Sequence, residues 1–334
     1  MASMPIALST NCSPGCRFPD PMAGIHTNVD ELIRLRLKAR GLNLETRRRA
    51  QATNSGVHHS RFRGRGIDYL ESRNYQAGDD IRNMDWRVTA RTGRAHTKLY
   101  QEERERPVIA MVDLNPSMFF GTRGAFKSVV AAQAAALLGW STVTNGDRIG
   151  AFLFGRAGRQ SHHEIPPTGG RRGVLRLIRD LVQWTRPEQQ VGSLGQDGLG
   201  EALRRIRRVA RPGSLVFILS DFYSMDEDTE RHLTHLRQHN DVVACQIWDR
   251  LELSPPPPGR YGVSDGQQLG LLDTSSAEFR QHYEDYFVDH HLRIRNLLMR
   301  RGIPLIRLVT DEDVADSLRR GLASLSITRP GVAA

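Results

Sequence analysis

The chain has 334 residues, enough for one large or two medium domains with a substantial core. Its 39% hydrophobic and 25% charged residues are ordinary for a globular protein, and no run approaches the roughly 20 apolar residues of a membrane helix. A net charge of +10 favours acidic partners, the excess being carried almost wholly by arginine.

Residues 1–25 open with "MASMPIALSTNCSPGCRFPD" and read as a disordered leader. No basic region precedes the short apolar patch, so the pattern of a secretory signal is missing. Cys12 and Cys16 lie here with no zinc cluster around them, and Cys245 sits in "DVVACQIW" as a small hydrophobe. None of the three demands an oxidising compartment, so the cytoplasm is the expected location.

Residues 26–105 form a second segment, expected to pack on the sheet domain: a helical start near Val29–Leu42, a basic loop, then "GIDYLESRNYQAGDDIRNMDWRVTARTGRAHTKLYQEERER". From Arg106 to about residue 325, apolar runs alternate with amphipathic helices. The strands are predicted in "RPVIAMVD", "DRIGAFLFG", "HHEIPPT", "GSLVFILSD", "DVVACQIWD" and "IPLIRLVT". The helices are predicted in "RGAFKSVVAAQAAALLGWSTVTN", "GGRRGVLRLIRDLVQWT", "GLGEALRRIRRVA", "DEDTERHLTHLRQHN", "SAEFRQHYEDYFVDHHLRIRNLLMRRG" and "DEDVADSLRRGLASL". Residues 250–275 interrupt the series with four consecutive prolines and a hairpin-like "YGVSDGQQLGLL", and 326–334 are a tail. Strands separated by helices of this length need crossover connections, which build a mainly parallel α/β sheet with helices on both faces.

Ligands of such sheets bind beyond the carboxyl ends of the strands, near the switch in strand order. Two strands end there on an acid, Asp113 in "AMVD" and Asp221 in "FILSD". In "DLNPS", Asp113, Asn115 and Ser117 leave one side of an extended chain. Oxygen donors in this pattern suit a divalent ion; the simpler alternative is that the acids cap helix N-termini. "GTRGAFKS" resembles a phosphate loop through Gly121, Lys127 and Ser128, but Phe126 stands where the second glycine is needed. A phosphoryl-transfer enzyme with Asp113 as nucleophile would want an acid at position 115, where the chain has Asn115. In "GEALRRIRRVARPG", Arg204, Arg205, Arg207 and Arg208 fall on the outer face of a helix, a solvated face or a nucleic-acid contact. No aromatic or reader motif accompanies them. The histidine pairs, among them His162–His163 and His290–His291, are expected in exposed loops or helices.

"GRGIDYLESRNYQAGDDIRNMDWRVTART" followed by "TKLYQEERERPVIAMVDLNPSMFFG", roughly residues 60–125, resembles the hallmark of the domain of unknown function 58 family. Its signature residues here are Arg73, Tyr75, Gly78, Asp79, Asp80, Arg82, Asp85 and Trp86. The resemblance implies a von Willebrand factor type A-like, doubly wound sheet and a non-enzymatic binding module. It also implies an adaptor or co-chaperone role beside a MoxR-type AAA+ ATPase, with a client protein as further partner. It further implies a metal-ion-dependent adhesion site, in which Asp113, Asn115, Ser117 and Asp221 hold magnesium, or alternatively manganese, and the ion captures a partner carboxylate. The threonine expected in "VGSLGQDGLGEAL" is absent, so Asp197 or Ser193 would substitute. For the signature segment two readings stand: a partner-contacting surface, or arginine–carboxylate pairs and a buried Trp86 that fasten it to the sheet domain.

Overall fold

A computed structural model of the chain describes residues 24–44, 67–76, 78–102, 105–155, 161–186, 198–264 and 269–327. These fall into two compact units. Residues 24–44 join those from Arg106 onward in the larger one, and the described residues up to Glu105 form the smaller. The expected 26–105 segment is therefore divided, because its helical start buries Leu32, Ala39, Leu42 and Leu44 in the core of the sheet unit. Most of the leader and of the tail lies outside the described residues, although the Gly24 carbonyl accepts a hydrogen bond from the Phe126 N–H at 2.8 Å.

The start of the larger unit is the short helix α1 (Val29–Arg34), capped by Asn28 and followed by turns, so the helix is shorter than the periodicity of Val29–Leu42 suggests. The smaller unit pairs β1 (Ile67–Asn74) antiparallel with β2 (His96–Glu102), with α2 (Trp86–Thr92) between them.

Among the described residues the central sheet has six strands. They are β3 (Pro107–Asp113), β4 (Arg148–Phe154), β5 (His162–Gly169), β6 (Leu215–Ser220), β7 (Asp241–Trp248) and β10 (Leu305–Val309). Their order is β10-β7-β6-β3-β4-β5. Every pair is parallel except β4–β5, where the edge strand runs antiparallel. Pro166 and Pro167 suit that edge, since neither can donate to a ladder. The proline-rich insertion carries its own hairpin, β8 (Arg260–Ser264) with β9 (Leu269–Asp273).

Strands buried on both faces read as continuous apolar runs, and the two cores show why. Val108, Ala110, Val112, Phe217 and Leu219 point to one side and Ile109, Met111, Val216 and Ile218 to the other. The first side is covered by α1, α3 (Lys127–Thr144), α4 (Gly170–Trp184) and α8 (Val314–Ile327). The second is covered by α5 (Leu199–Ile206), α6 (Thr229–His239) and α7 (Ala277–Arg300). Helix α3 is buried nearly all round, which explains its alanines: small side chains let its backbone approach the sheet closely. No helix among the described residues is long and apolar enough to cross a membrane.

Trp140 of α3 fastens α1 to this unit: its ring is 1% exposed and its indole N–H donates to the Leu32 carbonyl at 3.0 Å. Trp140→Ala is expected to lower stability by about 3–5 kcal/mol, measured as a fall in the urea midpoint at unchanged slope.

Candidate functional site

The chain runs from β3 outward to β4 and β5, then returns to the other side of β3 for β6, so the strand order reverses between β3 and β6. Asp113 ends β3 and Asp221 follows β6, which places both acids at the crevice the sequence pointed to. Register sets the details. Val112 faces Leu219, so Asp113 lies beside Ser220, whose hydroxyl donates to Asp113 Oδ2 at 2.6 Å. Ser224 Oγ donates to the same oxygen at 3.1 Å, and the Asn115 N–H and amide nitrogen donate to Oδ1 at 3.0 and 2.7 Å. Gly155, at φ +94°, closes this corner: a Cβ there would fall 2.4 Å from the Asn115 nitrogen. Beyond Asp221 the backbone turns through Phe222 at φ 64°, a conformation uncommon for a bulky residue.

Lys127, the first residue of α3, provides the cluster's cation. Its side chain is 1% exposed, and Nζ donates to Asp221 Oδ2 at 2.8 Å and to Glu252 Oε1 at 2.6 Å. The rings of Tyr223 and Phe120 flank it, with centroids 5.2 and 5.6 Å from Nζ. Burial works against the ammonium, but Asp221 and Glu252 outweigh it and hold the lysine above its ordinary range. Glu252 is pushed up by burial, against the pull of Lys127. Asp113 is raised to about 6 by burial first and by the Asp221 charge second.

A third strand-end acid completes the rim. Asp249, fully buried just after β7, accepts from the Thr122 N–H at 2.9 Å and hydroxyl at 2.5 Å, from the Leu251 N–H at 3.0 Å and from the Thr310 hydroxyl at 2.6 Å. Its own N–H donates to Glu252 Oε2 at 2.9 Å, a reciprocal cap that fixes the glutamate. The sequence reading passed over Asp249 although "ACQIWD" carries the same apolar-run-then-acid signal as "AMVD". Glu252 gave no such signal. Its place follows from the turn Arg250–Glu252.

The phosphate-loop likeness of "GTRGAFKS" does not extend to its geometry. Lys127 points into the protein, and the loop folds on itself: a Cβ on Gly121 would meet the Ala125 carbonyl at 2.2 Å. The residues carried over as metal ligands come together only in part. Asp113, Asn115 and Asp221 meet; Ser117, half-buried on the turn Pro116–Met118, is not among the groups bonded to Asp113; Asp197 and Ser193 lie outside the described residues. Magnesium wants about six oxygen ligands in near-octahedral order. Here both Asp113 oxygens accept hydrogen bonds, Asp221 Oδ1 accepts the Tyr223 N–H at 3.1 Å, and Asp221 Oδ2 holds the lysine. The described residues do not fit a divalent ion.

The histidines are less exposed than expected. His290 is buried, stacks on Tyr223 with centroids 3.9 Å apart, and donates from Nε2 to the Asp221 carbonyl at 3.1 Å. His291 is pushed down to about 4 by burial, and His163 contacts Asp180 at 3.0 Å and stacks on Trp184. In α5, Arg204 and Arg205 are tied to Glu201 at 2.6 and 2.7 Å, which draws that face's charge inward upon itself.

In the smaller unit most of the signature residues shape the local fold. Gly78 takes φ +108°, Asp79 accepts from Arg73 at 2.7 Å and from the Gln76 N–H at 2.9 Å, and the Tyr75 N–H donates to Ala95 at 2.9 Å. Asp80 caps the turn at the Arg82 N–H. Asp85 caps α2 and accepts from Ser72 at 2.7 Å, a bond that leads in holding its carboxyl below the usual range. Trp86 is the exception: one of the two readings has it buried, but it is 66% exposed, with Ile81 63% exposed nearby in sequence. Helix α2 begins at Trp86 and buries none of its own residues.

Fold and rim define an α/β sheet protein in which a strand-end carboxylate is paired with a buried lysine of the same chain. The chain belongs to the family described as protein of unknown function DUF58, which matches residues 71–293. Uncharacterised proteins of Mycobacterium bovis and Mycobacterium tuberculosis are 28% identical over 306 residues, covering 91% of this chain and 93% of theirs. Among solved structures, the conserved hypothetical protein BatB of Bacteroides thetaiotaomicron is 10% identical, with a TM-score of 0.40 over 66% of this chain and 98% of that one. A von Willebrand factor type A protein of Catenulispora acidiphila is 11% identical, with a TM-score of 0.32 over 70% of this chain and 44% of that one.

The raised Asp113 carries a pH signature. An acid whose folded pKa exceeds its unfolded value stabilises the fold below the unfolded pKa, and that stability is lost as pH rises through the folded one. Relative to wild type, Asp113→Asn is therefore expected to gain on the order of 2 kcal/mol between pH 4 and pH 7, measured by urea unfolding at each pH.

Proposed function

We propose that the chain is a non-enzymatic interaction module that serves as adaptor or co-chaperone of a MoxR-type AAA+ ATPase in the cytoplasm. The observation that carries this reading is the exposure of Trp86. In a segment where Arg73, Asp79, Asp80 and Asp85 are engaged in caps and an ion pair, the exposed Trp86 is available to a partner, and tryptophan is the residue type most enriched at binding hot spots. Ile81 extends the apolar surface. Metal-bridged capture of a partner carboxylate has no part in this proposal, since the carboxylate oxygens of Asp113, Asp221 and Glu252 already accept hydrogen bonds.

The burial of Asp113 weighs against the rival phosphoryl-transfer enzyme. A nucleophile with 0% exposure, holding hydrogen bonds on both oxygens, offers no path for a phosphate to approach in line. Nucleic-acid binding through the arginines finds less support once Glu201 has taken up Arg204 and Arg205.

Affinity capture with the full chain is expected to retain an AAA+ ATPase equally with and without a chelator, and Trp86→Ala is expected to weaken capture about tenfold or more at unchanged thermal stability. Magnesium-dependent phosphatase or nucleotidase turnover that disappears in Asp113→Ala would instead establish the enzyme.

A further inference from the structure

We infer that the Lys127 ammonium is the resident cation of this rim, supplied by the chain itself, and that the rim takes no divalent metal. The inference stands apart from the partner reading above and rests on the buried cluster alone.

Lys127 is placed against local preference. It opens α3, where the positive end of the helix dipole disfavours a cation, and its N-cap Phe126 offers no side-chain hydrogen bond. Apart from Gln133, the rest of the helix is alanine and other small or apolar residues, so nothing in the helix calls for a lysine. What calls for it is the convergence of Asp221 from the end of β6 and Glu252 from the turn after β7, each within 2.8 Å of the same nitrogen. A residue that violates local propensity to satisfy a distant charge pair marks a site where tertiary chemistry has set the choice.

The carboxylates beside the ammonium are already hydrogen-bonded on both oxygens. Each carboxylate divides its oxygens between a backbone N–H and the ammonium: Asp221 Oδ1 takes the Tyr223 N–H and Oδ2 the lysine, while Glu252 Oε2 takes the Asp249 N–H and Oε1 the lysine. The flanking Phe120 and Tyr223 rings present π-faces that suit an ammonium and give a hard divalent ion no oxygen from their faces. Asp113, the acid next to Asp221, has its oxygens filled by Ser220, Ser224 and Asn115. An ion entering beside Asp221 would also meet the lysine's own charge at short range, in a dry site where repulsion is strong.

An exchangeable metal would order the ends of β6 and β7 only when its concentration allowed; a tethered ammonium orders them permanently. The expected consequence is a rim whose stability ignores magnesium, manganese and chelators. The test titrates the full chain with MgCl2 and MnCl2 by calorimetry and follows thermal unfolding with each ion and with EDTA, for wild type, Lys127→Met and Asp221→Asn. No saturable heat and no shift of the wild-type midpoint, together with a Lys127→Met folding constant reduced about a hundredfold or more, supports the assignment. Saturable uptake by the wild type that is lost in Asp221→Asn overturns it, and so does a Lys127→Met protein as stable as wild type. Should Lys127→Met fail to fold, the wild-type titration decides alone: silence supports the inference and uptake ends it.

Discussion

The two bonds from Lys127 to Asp221 and Glu252 join elements that are far apart in sequence and that the sheet alone does not hold together at this rim. A crossover sheet delivers its strand ends to one edge but gives no attraction between the loops that follow. Those loops carry acids here, and acids withdrawn from water repel. One ammonium at the start of α3 converts that repulsion into a junction of α3, β6 and the turn after β7. The balance is sharp, because removing one partner of a buried pair strands the other's charge, at about 3–5 kcal/mol.

From this junction much of the local geometry follows. Glu252 must hold both the ammonium and the Asp249 N–H, which fixes the turn Arg250–Glu252. Asp249 in turn gathers Thr122 and Thr310, so the loop before α3 and the end of β10 close onto the same corner. The loop before α3 also receives Gly24: a Cβ on Gly24 would lie 1.9 Å from the Gly124 carbonyl, so the chain ahead of α1 approaches this loop as bare backbone. Tyr223, stacked between the ammonium and His290, carries the contact on to α7.

The architecture was legible in the sequence because burial on both faces writes itself as apolar runs, and the helices between them forced a parallel sheet. Asp113 and Asp221 were legible for the same reason: an acid ending an apolar run is conspicuous. Lys127 stands inside a phosphate-loop likeness, where a lysine is read as facing a ligand, whereas in the fold it turns inward to Asp221. Glu252 sits in the proline-rich connection, where no period marks which side chain faces the core. His290 misled because a histidine pair in a charged helix looks solvated, whereas its neighbour across space is the Asp221 carbonyl. Trp86 misled in the opposite sense: an aromatic residue among paired charges suggests a core, but α2 is too short to build one.

The rim's acids show two distinct answers to desolvation. Asp221 and Glu252 share a cation. Asp113 and Asp249 have only neutral donors, hydroxyls and N–H groups, whose dipoles stabilise a carboxylate less than a full charge does. Asp113 also has Asp221 as a neighbour, and its hydrogen bonds from Ser220 and Asn115 fall short of offsetting burial and that charge together, so its pKa climbs to about 6. Lys127 is already shared between two carboxylates, and none of its bonds reaches Asp113. The acid that made the rim visible in the sequence is thus one the resident cation leaves to hydrogen bonding, and the proton it takes up near pH 6 is a way for this edge to shed charge without an ion from solution.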